Sequence, residues 1–160
     1  MWDDAYTGLM PQSILDDRRD ETEARVGRWR TILTTGLEGD RGNETYVADT
    51  GEGLAGFASA GPGRDDDLDI ALELKALYVR ASRWGTGLGY ALFQRSVGDR
   101  DAYLWVLAGN ERAIAFYERI REKLKGDNDK REAELQKKRE ELDARKKAAE
   151  EASAKMDSDR

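Results

Sequence analysis

Three glycines at alternate positions, Gly85, Gly87 and Gly89, are the residues of this sequence best placed to do chemistry. They follow a run rich in strand formers and open a segment with helical periodicity. Missing side chains let a ligand approach the backbone closely. The N–H groups of a first helical turn lack intrahelical partners, and the helix dipole adds partial positive charge there. Such a turn suits an anion, in particular a pyrophosphate. The pattern alone is unspecific, because a glycine-rich turn without a ligand reads the same. It is not a P-loop, since no Lys-Ser/Thr pair follows. It is a poor dinucleotide fingerprint, since the spacing differs and the preceding strand is not the first of its sheet.

The rest of the composition narrows the chemistry. The 160 residues include no His and no Cys. Disulfides, thiolate or imidazole metal sites, and Ser-His or Cys-His nucleophiles are therefore excluded. Proton transfer falls to Asp, Glu, Tyr, Lys, a terminus or water. With 27 Lys+Arg against 33 Asp+Glu the net charge is −6, which argues against a nucleic-acid partner. The longest apolar run, Ala102 to Ala108, is far short of the about 18 residues a membrane span needs. The acidic start Met1-Trp2-Asp3-Asp4 is unlike a signal or transit peptide. The expectation is a cytoplasmic protein with no membrane partner.

The elements that must position the glycines follow from patterning. Ser13 to Thr34 reads as a helix, with Ile14, Val26, Trp29 and Leu33 as apolar points. Thr45–Asp49 and Leu54–Ala60 read as a hairpin around Gly51-Glu52-Gly53, broken off at Gly61-Pro62-Gly63. Asp65-Asp66-Asp67 is loop: a solvated one, or an acidic rim that attracts a cationic acceptor. Ile70–Val79 is a long central strand, Gly85–Val97 a helix, Ala102–Leu107 a buried strand, and Glu111–Arg121 a further helix. A strand–helix–strand unit of this kind is a right-handed crossover between parallel strands.

Two stretches, ELKALYVRASRWGTGLGYAL and WVLAGNERAIAFYERI, stand in this order between Glu73 and Ile120. Together they resemble successive motifs of the GNAT N-acetyltransferase superfamily, and the resemblance spans about residues 1–120. It implies an α/β fold, a mixed acyl-CoA N-acyltransferase-like sheet flanked by helices. It implies transfer of an acetyl group from acetyl-CoA, as cosubstrate and without a metal, to a primary amine of a small molecule or protein. The pyrophosphate loop would be Trp84, Gly85, Thr86, Gly87, Leu88 and Gly89, with Trp84 where the family usually has Gln or Arg. Leu77 and Val79 would offer backbone groups to the pantetheine arm. Asn110 would bond the same arm, unless it only caps the following helix. Tyr117 would protonate the departing thiolate, unless it is a core aromatic beside Phe116. An ammonium must lose its proton before it attacks. Without His, Glu73 would be the general base, its alternative being a strand residue facing solvent.

Both ends depart from the family pattern. The first strand and the last two strands of the family have no counterpart in residues 1–160, which would leave sheet edges open to pairing between two copies. Residues 121–160 hold 25 charged residues, one glycine and no aromatic, and cannot bury a core of their own. They read as a charged helical tail after a domain at 1–120. Glu134–Lys138, Glu141–Arg145 and Asp143–Lys147 are i,i+4 pairs. Leu135, Leu142, Ala149 and Met156 recur every seven residues, but without a second apolar position to make a coiled-coil seam. The alternative to an enzyme is a degenerate, non-catalytic domain that binds coenzyme A or a protein partner, the latter through this tail.

Overall fold

A computed structural model describes residues 1–35 and 42–158. The chain divides into two compact units, Met1–Ala113 and Ile114–Arg160. The first holds the helices α1 (Trp2–Tyr6), α2 (Gln12–Asp20) and α3 (Thr22–Thr35). The strands β1 (Glu44–Asp49), β2 (Leu54–Pro62) and β3 (Leu72–Val79) follow, then a 3-10 turn at Ala81–Arg83, α4 (Leu88–Ser96) and the short β4 (Ala102–Tyr103). α5 (Glu111–Ser158) begins at the end of the first unit and makes up the second.

The sheet order is β1-β2-β3-β4, antiparallel across the first two pairings and parallel across the last. The fold is therefore the mixed sheet with flanking helices expected from the sequence, and the hairpin and the parallel crossover are both present. Beyond shifts of up to three residues at the ends of β3 and α4, four differences stand out. The single helix expected over Ser13–Thr34 is two helices that meet at Glu21, where Arg25 Nη1 donates to the Arg18 carbonyl at 2.5 Å. β2 continues through Gly61 to Pro62, because Gly63 N–H donates to Ala71 O and carries the ladder past the proline. β4 ends at Tyr103 instead of Leu107. Gly126-Asp127-Asn128, expected to interrupt the tail, lies inside α5, where neighbouring Ala, Glu, Lys and Arg favour the helix enough to absorb the ~1 kcal/mol cost of one glycine. In the second unit Leu135 and Leu142 are half exposed, so α5 shows no buried seam there. The side chains of Ala149 and Met156 lie outside the described residues.

The core of the first unit is built on small residues of β2. Gly56, Ala58 and Ala60 alternate along one face, and α4 covers that face with Leu92 and Phe93. The close approach occurs at Gly56, opposite Val79. A Cβ there would lie 2.7 Å from the Tyr78 carbonyl and 3.0 Å from Leu92 Cδ1. The other face carries an aromatic chain. Trp2 and Tyr6 rings are 4.7 Å apart, Tyr6 and Tyr78 6.3 Å, Tyr78 and Phe57 5.5 Å, and Phe57 and Trp29 5.9 Å. This chain joins α1 and α3 to the middle of the sheet.

The contact at Gly56 generates a prediction. Gly56→Ala must push β3 backbone or α4, so it lowers stability by about 1–3 kcal/mol despite the alanine's better strand entropy. Urea unfolding measures this, and an unchanged midpoint would mean that α4 does not seat on Gly56.

Candidate active site

The site begins with a strand that loses its neighbour. Leu72 and Glu73 pair with Ala102 and Tyr103, and there the β3–β4 ladder stops. The β2–β3 register shifts just beyond, with Ser59 opposite Ala76 and Ala60 opposite Leu74, so Lys75 is an extra residue. A bulge bends its strand and increases its twist. β3 thus turns at Lys75 as β4 ends, and an open edge runs from Ala76 to Val79. Arg80 N–H donates to Ala55 O at 2.9 Å. By antiparallel alternation, the backbone groups of Leu77 and Val79 then point away from β2, toward the open edge. Val79 O accepts from the Trp84 indole Nε1 at 3.0 Å. The Val79 N–H and both backbone groups of Leu77 have no strand partner among the described residues. Leu77 and Val79 are the two residues from which the sequence leads one to expect arm contacts.

The glycine turn follows directly. Gly85 has φ +73° and Gly87, the residue preceding α4, φ +86°. These left-handed torsions are why glycine is needed. A Cβ at either would meet nothing within 4 Å, so this face of the turn is open. Thr86 Oγ1 donates to Arg83 O at 2.7 Å. No side chain caps α4. The amides of Leu88 and Gly89 stand at its first turn, where no i−4 acceptor exists. Trp84, the departure from the family pattern, is 41% exposed and carries the Arg112 guanidinium 3.3 Å from its ring centroid. A cation thus reaches the loop from the first turn of α5. Sequence reasoning missed Arg112. Its only signal was its place two residues after Asn110.

Asn110 is buried, and its Oδ1 accepts the Ala113 N–H at 3.2 Å, so it caps the start of α5. Tyr117 belongs to the second unit, half-buried on α5, with Phe116 edge-on at 5.0 Å. Asp65 to Asp69 lie in the β2–β3 loop.

Glu73 is 2% exposed, so the solvent-facing alternative does not hold. Its Oε1 accepts from Arg64 Nη2 at 2.5 Å, and its Oε2 from Arg64 Nε at 3.0 Å and Arg64 N–H at 3.2 Å. Tyr103 OH stands 3.4 Å from Oε2 and itself accepts the amides of Arg64 and Asp65 at 2.9 and 3.1 Å. The sequence suggests Glu73 as general base, but both of its oxygens have other partners. Hydrogen bonding and charge from Arg64 outweigh burial and hold the carboxyl below the usual carboxylate range, while the Arg64 guanidinium is raised. A carboxylate so stabilised is a weak proton acceptor. On the same face of the sheet, burial first and the Tyr6 hydroxyl second push the Tyr78 phenol well above its usual value; the two hydroxyls are 3.2 Å apart.

Residues 41–120, half of the chain, match the family model described as an acetyltransferase (GNAT) domain. The chain belongs to the GNAT acetyltransferase family. Solved structures with similar folds include the PaiA N-acetyltransferase of Thermoplasma acidophilum in complex with coenzyme A, at TM-score 0.55 and 17% identity, covering 74% of each chain. A GNAT-family protein of Desulfovibrio desulfuricans matches at TM-score 0.48 and 26% identity, over 69% of this chain and 79% of its own. A tetramutant of the BH1408 protein of Bacillus halodurans matches at TM-score 0.47 and 21% identity, over 59% of this chain and 65% of its own. The chain therefore spans just under two thirds of the length of that protein. No curated protein matches the sequence. Among the described residues, no group of three or more acidic side chains is arranged to hold a metal, and no helix is long and apolar enough to cross a membrane.

The Glu73 cluster of this GNAT domain makes a pH-linked prediction. A depressed folded pKa stabilises the protein above the unfolded value, about 4.3, and this contribution is lost as pH falls through the folded value. Glu73→Gln should cost about 2 kcal/mol at neutral pH and flatten the acid limb of a stability–pH curve. A variant with the parent's urea midpoint and acid limb would remove Glu73 from this structural part.

Proposed function

We propose that this GNAT protein transfers an acetyl group from acetyl-CoA to a primary amine of a small molecule or protein, by direct attack in a ternary complex. The observation that carries the reading is the continuity of two backbone surfaces. The unpaired edge at Leu77 and Val79 leads straight into a left-handed glycine turn and an uncapped helix start. The edge suits an amide-bearing arm, which extends it as a strand would. The turn Trp84–Gly89 suits a pyrophosphate, because amide dipoles need no particular side chain to hold an anion. The similar fold of an N-acetyltransferase solved with coenzyme A supports the same choice of cosubstrate. Arg112 adds the charge that Trp84 does not, and Asn110, with Oδ1 committed to its cap, contributes through its amide NH2.

In this reaction the amine nitrogen attacks the thioester carbonyl. The C–N bond forms, the C–S bond breaks, and the electron pair leaves on sulfur. A backbone N–H of β3 stabilises the carbonyl oxygen as it gains charge. Tyr117 supplies the proton to the thiolate. The amine's proton leaves through water, and Glu73 acts as a positioning residue that keeps β3 and β4 joined below the site.

Calorimetric titration of the full chain with acetyl-CoA tests the site. Gly87→Glu should abolish the micromolar binding expected of the parent, since it puts a carboxylate and a strained φ at the pyrophosphate; retained affinity would displace the site from this turn. Tyr117→Phe should lower kcat about tenfold or more while KM for acetyl-CoA moves less than twofold, in line with loss of a general acid. Equal kcat would leave Tyr117 a packing residue.

A further inference from the structure

The edge of β3 is closed at its last carbonyl by the chain itself. Val79 ends β3, and the next N–H, that of Arg80, donates to Ala55 O on β2. The Val79 C=O shares that peptide plane and so points the opposite way, out from the edge. The 3-10 turn at Ala81–Arg83 then folds the chain back. The N–H groups of Arg83 and Trp84 donate to Arg80 O and Ala81 O, and the Trp84 side chain returns to the strand end. Its indole Nε1 stands 3.0 Å from Val79 O. A strand-like partner at this edge would run about 4.8 Å from β3 and bring its own N–H to about 2.9 Å from the same oxygen. The indole donor therefore stands where an amide donor of an acyl-CoA arm would stand.

Trp84 is held by a second contact. The Arg112 guanidinium lies over its ring, 3.3 Å from the centroid, and burial pulls that guanidinium below its usual value against the opposing charge of Asp4. Both contacts use groups that an acyl-CoA can engage itself, the carbonyl through an arm amide and the cation through a phosphate. The indole has one donor hydrogen and nothing else to offer in exchange. Its ring is 41% exposed, so it can turn out toward solvent without emptying a core. We propose that Trp84 occupies the place of the arm's amide at Val79, so that a donor arm reaches this carbonyl only by displacing the indole, and Trp84 thereby sets how tightly the acyl donor is held. The inference rests on the acetyltransferase reading of the edge and turn above.

The test titrates the full chain with coenzyme A and with adenosine 3′,5′-bisphosphate, which keeps the nucleotide and lacks the arm. Trp84→Phe retains an aromatic face for Arg112 and removes the N–H donor. It should tighten coenzyme A about fivefold, the worth of one hydrogen bond that no longer has to be displaced, and leave the bisphosphate within twofold of the parent. Nuclear magnetic resonance of the parent reads the displacement directly. Among the indole N–H signals of the four tryptophans, that of Trp84 is the one missing from the variant. It should move upfield and exchange faster with water on addition of coenzyme A, and stay in place with the bisphosphate. Should Trp84→Phe fail to fold, Trp84→Leu also lacks the donor and serves both measurements. Unchanged or weaker coenzyme A binding in the variant, an equal gain for the bisphosphate, or a Trp84 signal that stays in place at saturating coenzyme A would overturn the proposal, while the parent's coenzyme A binding upheld the acetyltransferase reading. Absence of coenzyme A binding in parent and variant alike would sink that reading, and this inference with it.

Discussion

The buried carboxylate of Glu73 is the constraint on which the rest of the first unit depends. It sits at the last residue of β3 that still pairs with β4. Arg64 grips both of its oxygens from the β2–β3 loop, and Tyr103 reaches it from β4 while receiving two loop amides. One anion therefore joins three pieces of chain at one end of the strand pair. The pair is not by itself a large source of stability, because the Arg64 side chain is mostly exposed and solvent screens the attraction. Its value here is geometric. With one end fixed and Lys75 bulged two residues later, the two strands can only separate in one direction. The open edge that would hold an acyl-CoA arm is the product of a closed end, not of a missing strand.

The glycine turn depends on the same frame from the opposite side. α4 can lie against β2 only because Gly56, Ala58 and Ala60 present almost no side-chain bulk. That approach brings the start of α4 to the end of β3, so the unpaired amides of the helix continue the unpaired edge of the strand. Both places present backbone groups rather than side chains. Trp84 offers the turn no charged group of its own. The indole is used to tie down the Val79 carbonyl, and the cation comes from Arg112 on α5.

The elements and their order were legible in the sequence because hydrophobic alternation and glycine punctuation are local signals. The hairpin, the central strand and the glycine-led helix are each visible in a few residues. The early end of β4 was not legible, since Leu104 to Leu107 are as strand-like as Ala102 and Tyr103. Whether they pair is decided by β3 bending away at Lys75, which is a property of two strands at once. Glu73 shows the same limit. Its position on the strand and its chemistry suggest a base, but its partner Arg64 is nine residues away across a loop, and only tertiary structure shows the two meeting. Asn110, in contrast, had a cap written into its place before a helix, and it does cap.

The net charge of −6 suggests a protein that draws cations, and the Asp65–Asp69 loop fits that impression. Charge acts locally, however. At physiological salt the field of a distant group is screened over about 8 Å, while charged groups that stand close together in a partly buried place are screened much less. Arg18 and Arg19 of α2 and Arg25 of α3 line one cavity, so the fold makes a locally basic place in an acidic protein.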